Sequence, residues 1–359
     1  MRKTVSALLC ALMLAGSYGC ADRDQYIILS GYAQGGTYSV KLNLKGRDGR
    51  VRKSPEAIKA AVDSILYAID TTLSGYNKSS QLSRLNAGKA VSINRKGIFP
   101  DIYARSYRYY EETGGALDVA AGPLFDIWGF GFTSDSLPSK SIIDSVMADC
   151  GMGRLKPEVP LPYEGDSIKG TDLLSDGSSE VPPVLNFNAV AQGYSCDLVA
   201  TYLYSIGVKD MLVDIGEIYC DGLNPAGKPW KVGIDRPVDG NNVPGADLDG
   251  VWESSGGPCG IVTSGNYRKF YIRNGHKYSH TLDPRTGHPV EHNLLSATIV
   301  ASNATDADAY ATYCMVIGFE EARMFIEKNS QRLSGYLIYS DEGGNMKEWA
   351  SDGFSIVNQ

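Results

Sequence analysis

Histidine is scarce in this 359-residue chain, with four residues in all and none in an HExxH frame. Cysteine numbers seven, and no two stand in CxxC spacing. Tetrahedral zinc sites draw on closely spaced Cys and His, so a zinc centre is disfavoured. No basic cluster stands out, and the net charge is −7. That balance excludes a nucleic-acid partner held by phosphate contacts. No stretch, the run from Val5 to Ala15 included, is apolar for long enough to cross a bilayer. No GxSxG, P-loop or GxGxxG frame is present, so none of the mechanisms built on those turns applies. No internal repeat or low-complexity tract interrupts the chain.

What remains is ordinary globular material, 43% apolar and 21% charged, rich in Gly (40) and with more Tyr than Phe (22 to 9). Its length is ample for a large core. The first twenty residues, MRKTVSALLCALMLAGSYGC, have a basic start, a short apolar run and small residues before Cys20. Such a pattern is a secretory signal. With Cys20 at the cleavage position it resembles a bacterial lipoprotein signal. The reading is therefore a signal peptide over 1–19, a lipidated Cys20, a tether over 20–30 and a domain over 31–359. The protein is then exported and membrane-anchored, facing the periplasm. Cys150, Cys196, Cys220, Cys259 and Cys314 would remain, mostly in apolar contexts, and are expected as buried free thiols.

Elements interleave along the domain. Thr37 to Leu44 alternates like a strand. Ser54-Pro55-Glu56 opens a helix whose Ile58, Val62, Ile65, Leu66, Ile69 and Leu73 share one face. A second helix runs to Gly114-Gly115, a third covers 139–152, and a fourth runs from Val190 to Gly207. Residues 153–184 are Pro-, Gly- and Ser-rich and read as a variable surface excursion. Strands are expected at 210–216, 229–237, 260–274, 294–302 and 333–340, with helices at 305–318 and 320–329. Hairpin-like pairs are frequent. The expected class is α+β, a mixed or antiparallel central sheet packed with helices in a single compact unit.

Four stretches carry candidate chemistry. In TDADAYAT, Asp308 and Thr312 share a helix face and are hard oxygen donors of the kind magnesium takes. Equally, Thr305 and Asp308 are spaced as a capping box, which would leave Thr312 an ordinary helix residue. In NFNAVAQGYSCD, a Gly one turn into an apolar helix permits close approach by a ligand or by another helix. In ALDVAAGPLFDIWGFG, Trp128 among glycines is either a wall for a flat aromatic ligand or a core residue. In SHTLDPRTGHPV, two turns fix His280, able to move a proton, beside Asp283 and Arg285, whose fork suits a carboxylate or phosphate.

In order, the segments GTYSV, LSGYNKSSQLSRLN, GGALDVAAGPLFDIWGFG, NAVAQGYSCD, LVDIGE, VTSGNYRKF, YSHTLDPRTGHPVEH and ADAYATYCMVIG resemble the FAD:protein FMN transferases, the ApbE-type flavin transferases. The resemblance spans roughly residues 35 to 320. It implies cleavage of the FAD diphosphate, transfer of FMN to a Thr or Ser hydroxyl of an exported acceptor protein, and release of AMP. A respiratory electron-transfer subunit would suit as acceptor. It implies magnesium held by Asp308, Thr312 and the Ala191 carbonyl. His280 would be the general base, with Asp283 orienting it or completing the metal site. Thr263, Ser264, Gly265 and Arg285 would contact the dinucleotide, and Tyr76, Asn86, Trp128 and Asp214 would line its pockets. Two departures stand out: Gln192 replaces a frequent Lys, and Ile215-Gly216-Glu217 has one Gly fewer than the usual motif. A magnesium-dependent FAD pyrophosphatase and a non-catalytic FAD-binding lipoprotein are the alternatives.

Overall fold

Along Met211–Asp214 the side chains alternate between two cores: Met211 and Val213 join one, Leu212 the other. That period-two alternation marks a strand buried on both faces. The computed structural model describes residues 25–357, except 47–48, 131–136, 162, 164–166, 176–180, 242, 268–269 and 274–275. The signal segment 1–19, Cys20 and Gly131 of the WGFG motif lie outside these residues.

In chain order the strands are β1 (Tyr26–Ala33), β2 (Gly36–Asn43), β3 (Lys45–Gly46), β4 (Gly49–Arg50), β5 (Val91–Ser92), β6 (Ser167–Ile168), β7 (Met211–Asp214), β8 (Ile218–Asp221), β9 (Lys231–Asp235) and β10 (Leu248–Glu253). They continue with β11 (Cys259–Gly265), β12 (Phe270–Arg273), β13 (His276–Ser279), β14 (Leu282–Asp283), β15 (His288–Pro289), β16 (Leu294–Ala301), β17 (Leu333–Ser340), β18 (Met346–Ala350) and β19 (Ile356–Val357). The helices are α1 (Pro55–Leu73), α2 (Gln81–Asn86), α3 (Ile98–Glu112), α4 (Gly122–Ile127), α5 (Lys140–Asp149), α6 (Ala191–Ser205), α7 (Ala304–Ile317) and α8 (Phe319–Lys328).

The centre is an 8-stranded sheet in the order β1-β2-β7-β8-β11-β16-β17-β18. Every neighbouring pair in it is antiparallel. One face carries the helical layer, where Val40, Val213, Val262, Ile299 and Leu337 meet residues of α1, α3, α6, α7 and α8. The other face carries Leu212, Cys220, Ile261, Tyr336 and Ile338, covered by Trp230, Ile234 and Trp252 of the 3-stranded sheet β19-β10-β9. The molecule is thus α+β in three layers. Cys220 and Cys259 lie opposite each other on β8 and β11 with their sulfurs 3.7 Å apart. All five thiols are free; four are buried and Cys150 is half-buried.

Two boundaries differ from expectation. Residues 26–30 are not tether, because β1 pairs with β2 along its whole length and buries Leu29. Its outward residues include the exposed Ile28 and Tyr32, so the strand shows no clean alternation of apolar and polar positions. Nor is 153–184 simply a surface excursion: Leu155, Leu161, Ile168, Leu173 and Leu174 enter the main core, and β6 pairs with β5. Short apolar pieces separated by turn residues concealed this.

Candidate active site

The site forms where α7 wedges between α6 and β11. Asn303 caps α7, its side chain accepting from the Asp306 N–H at 2.8 Å. The expected Thr305–Asp308 capping box is therefore not used. Thr305 instead belongs to a clamp from α6. Asp197 accepts from the N–H groups of Ala304 and Thr305 at 2.8 and 2.9 Å, and from the Thr305 hydroxyl. Burial pushes the Asp197 carboxyl up, and these three donors draw it back. Two glycines permit the approach. A Cβ at Gly193 would lie 2.2 Å from the Ala304 carbonyl oxygen, and one at Gly260 would lie 2.3 Å from Ala304 Cα. Gly193 thus serves helix packing first.

One turn into α7, Asp308 is 5% exposed and accepts one hydrogen bond, from the Gly193 N–H to Oδ2 at 3.0 Å. Burial is the main cause that pushes its carboxyl up to about 8, and nearby Asp197 adds to it. No cation answers it among the described residues. Thr312, four residues on, places its hydroxyl 3.5 Å from that of Ser264 at the end of β11. The Ala191 carbonyl, two residues before Gly193, accepts from Ser195 Oγ at 2.6 Å. No three His, Cys, Asp or Glu side chains converge as a metal cluster among the described residues. The donors are instead one carboxylate, hydroxyls and a carbonyl. A hard divalent cation that keeps several waters needs no more protein oxygens than that. A buried carboxylate with a single neutral donor is also short of positive charge. The residues therefore fit magnesium.

The loop bearing His280 is tied to the same rim. Thr281 donates to Asn266 Oδ1 at 2.6 Å, and Asn266 follows Gly265. Thr263 is fixed by Thr298, hydroxyl to hydroxyl at 2.8 Å. His280 itself is half-buried. Beyond it, β14 and β15 form a hairpin in which Asp283 faces His288. Both Asp283 oxygens are engaged by Arg285, from Nε at 2.9 Å and from a terminal nitrogen at 2.8 Å, so Asp283 holds the turn and Arg285. Pro284 and Arg285 overhang a cavity of about 220 Å³, with Tyr110, Asp118 and Cys150 also on its walls.

Other candidates fall elsewhere. Trp128 is a core residue. Its indole is buried, donates to the Gly287 carbonyl at 2.7 Å and packs on Tyr278 and His288, so it props the hairpin from beneath. Asn86 also turns inward: its amide exchanges hydrogen bonds with the Leu185 backbone at 2.8 and 2.9 Å and so fixes the segment entering α6. Tyr76 sits on the exposed turn between α1 and α2. Asp214 ends β7, its carboxyl pushed up by burial while accepting the Gly216 N–H at 3.1 Å. The two sequence departures meet here. Gln192 Nε2 donates to the Ile215 carbonyl at 3.3 Å, and a Cβ at Gly216 would lie 2.5 Å from that same nitrogen. Asp197, Asn266 and Gly260 were not singled out from sequence. Asp197 at least lay in a quoted motif, but its partners are over a hundred positions away.

The sequence pattern of the ApbE family matches residues 35–337. An FAD:protein FMN transferase of Haemophilus influenzae is 30% identical over 347 residues, covering 96% of this chain and 95% of its own. One from Escherichia coli is 33% identical over 309 residues, covering 84% and 82%. Among solved structures, the flavin transferase ApbE of Vibrio cholerae superposes with a TM-score of 0.72 at 30% identity, covering 92% of this chain and 98% of that one. The apo flavinyl transferase ApbE of Pseudomonas stutzeri gives 0.74 at 29% identity, covering 92% and 96%.

Proposed function

This chain belongs to the ApbE family and is an FAD:protein FMN transferase, and we propose that it acts with magnesium on a Thr or Ser hydroxyl of an exported acceptor, releasing AMP. The acceptor oxygen bonds to the flavin-side phosphorus of FAD. The bridging P–O bond breaks, and AMP leaves with the electron pair. His280 takes the hydroxyl proton. Asp308, Thr312 and the Ala191 carbonyl would hold the ion. When bound, magnesium supplies neutralisation of the charge that grows on the leaving phosphate. Thr263, Ser264 and Gly265, at the strand end beside Thr312, offer hydroxyls and backbone N–H groups to the phosphates. Arg285, locked on Asp283, offers a cation at the mouth of the neighbouring cavity.

The observation that carries the reading is the buried Asp308, held by the Gly193 N–H and facing no cation, on the helix whose Thr312 meets Ser264. Two readings compete with transfer to a protein: an FAD pyrophosphatase, and a flavin-storing lipoprotein, which Gln192, standing where a Lys is frequent, favours. One measurement separates all three. The protein is incubated with FAD, magnesium and a Thr-bearing acceptor, and the acceptor is weighed by mass spectrometry. Covalent gain of FMN with stoichiometric AMP is expected. Free FMN with unmodified acceptor marks the pyrophosphatase, and intact FAD marks storage. The signal-like first nineteen residues and Cys20 further support an exported lipoprotein facing the periplasm, and the intact mass of the membrane-extracted protein tests that.

A further inference from the structure

The chain as a whole is acidic, yet residues 50–53, Arg-Val-Arg-Lys, gather three cations in one short segment. Arg50, Arg52 and Lys53 stand exposed on the segment leading into α1. Several surface cations elsewhere are answered by acids: Lys59 by Asp63, Arg108 by Asp306, Lys140 by Asp144, Arg323 by Glu327. Among the described residues no acid pairs with Arg50, Arg52 or Lys53, in a chain whose net charge is −7. Glu56, the nearest acid along the helix, is turned onto its own N–H and Ser54, and those bonds hold its carboxyl low. The positive end of the 19-residue α1, capped by Ser54, adds to the same field. With Gln25 and Leu44, residues 50–55 line an open cavity of about 460 Å³.

The chain enters the fold against this segment. Gln25 donates to Asn43 Oδ1 at 3.0 Å and accepts from the Leu44 N–H at 2.8 Å, and the Leu44 carbonyl accepts from the Val51 N–H at 2.8 Å. Entry point and cations are therefore clamped together. If Cys20 bears the anchor, residues 20–24 reach roughly 17 Å at most when fully extended. The site lies at the other end of β2. Gln34, in the turn between β1 and β2, donates to the Ser195 hydroxyl, which donates to the Ala191 carbonyl, and Gly36 and Leu44 are separated by roughly 27 Å along the strand.

We propose that Arg50, Arg52 and Lys53 dock the enzyme on anionic phospholipid and hold its catalytic rim toward water, where an acceptor domain presents its hydroxyl. The proposal rests on the exported, lipid-anchored reading. Basic residues near a charged bilayer act additively and within a Debye length, so three of them at one entry point raise the partition onto anionic lipid on the order of a hundredfold.

The test uses a chain lacking residues 1–20, which keeps every described element. It is sedimented with vesicles of phosphatidylcholine, with and without phosphatidylglycerol. Binding to the anionic vesicles alone is expected, weakening as salt rises. The triple variant Arg50→Ala, Arg52→Ala, Lys53→Ala should bind on the order of a hundredfold more weakly. FMN transfer to a soluble acceptor, measured on both chains, reports separately on the catalytic reading and should be equal. Equal partition onto neutral and anionic vesicles overturns the proposal, as does a triple variant that binds like the parent.

Discussion

At the scale of single residues, Asp308 is the group on which the chemistry turns. Asp308→Asn keeps the shape and an acceptor for the Gly193 N–H, but removes the charge. FMN transfer should fall on the order of a thousandfold, the scale of losing one electrostatic stabiliser of the reaction. Without magnesium the variant should be at least as stable as the parent, because a buried, unanswered carboxylate is unfavourable. With magnesium only the parent should gain, by about 2.7 kcal/mol at a hundredfold excess over its dissociation constant. Thermal melts with and without the ion decide it, and an Asn variant that gains equally would remove Asp308 from the metal site. His292 gives a separate prediction. Its ring lies against the end of α7, Nε2 at 2.8 Å from the Met315 carbonyl, and burial lowers its pKa below the usual value. A lowered folded pKa means that the unfolded chain binds the proton more readily. The contribution is therefore present above about 6.5, the unfolded value, and is lost as pH falls through the folded one. Melts below pH 6.5 should show a decline that is shallower in His292→Gln. The shared helix face of Asp308 and Thr312 was legible because an i, i+4 spacing is local, whereas their metal role rested on the family resemblance. The backbone partners of Asn86 and Trp128 were not legible, because a polar or aromatic tip does not say which distant backbone it meets.

Among elements, the docking of α7 determines whether those residues meet. Its approach depends on Gly193, where a methyl group would collide with the Ala304 carbonyl and lie 2.9 Å from Asp308 Cβ. Gly193→Ala should cost about 1–3 kcal/mol through overpacking. It should also raise the magnesium concentration needed for half-maximal transfer, by shifting Asp308 against Ala191. Chemical denaturation reads the first and a magnesium titration the second; an unchanged titration would confine Gly193 to packing. Sequence legibility at this scale followed periodicity. The Ser54-Pro55 start and the apolar face of α1 were plain, as was Leu333–Ser340. By contrast α7 is buried on nearly every side, so its pattern carried no face, and its true cap, Asn303, stood two residues ahead of the expected Thr305. In the small sheet β9 fell within the strand expected at 229–237, but β10 and β19 did not show, since β19 is two residues long and pairs with a strand about a hundred positions earlier.

For the whole molecule, β1 matters most, because it decides where the domain begins. A tether through residue 30 would make the first strand dispensable. The structure makes it an outer layer of the main sheet: its eight residues pair in register with β2, Leu29 is buried, and α1 packs against it. Removing it would bare the hydrogen-bonding edge of β2 and part of the face beneath α1. The loss of Leu29 alone, as Leu29→Ala, should cost about 2–5 kcal/mol. A chain begun at residue 21 should melt like the mature protein, whereas one begun at residue 34 should melt several degrees lower and lose soluble yield, because an uncovered strand edge invites pairing between copies. Gln25 would go with it, and so would the clamp that sets the entry of the chain beside Arg50, Arg52 and Lys53. Should the two chains melt together, β1 would be an ornament on a domain that starts at β2, and the position of the anchor relative to the catalytic rim would lose its structural basis.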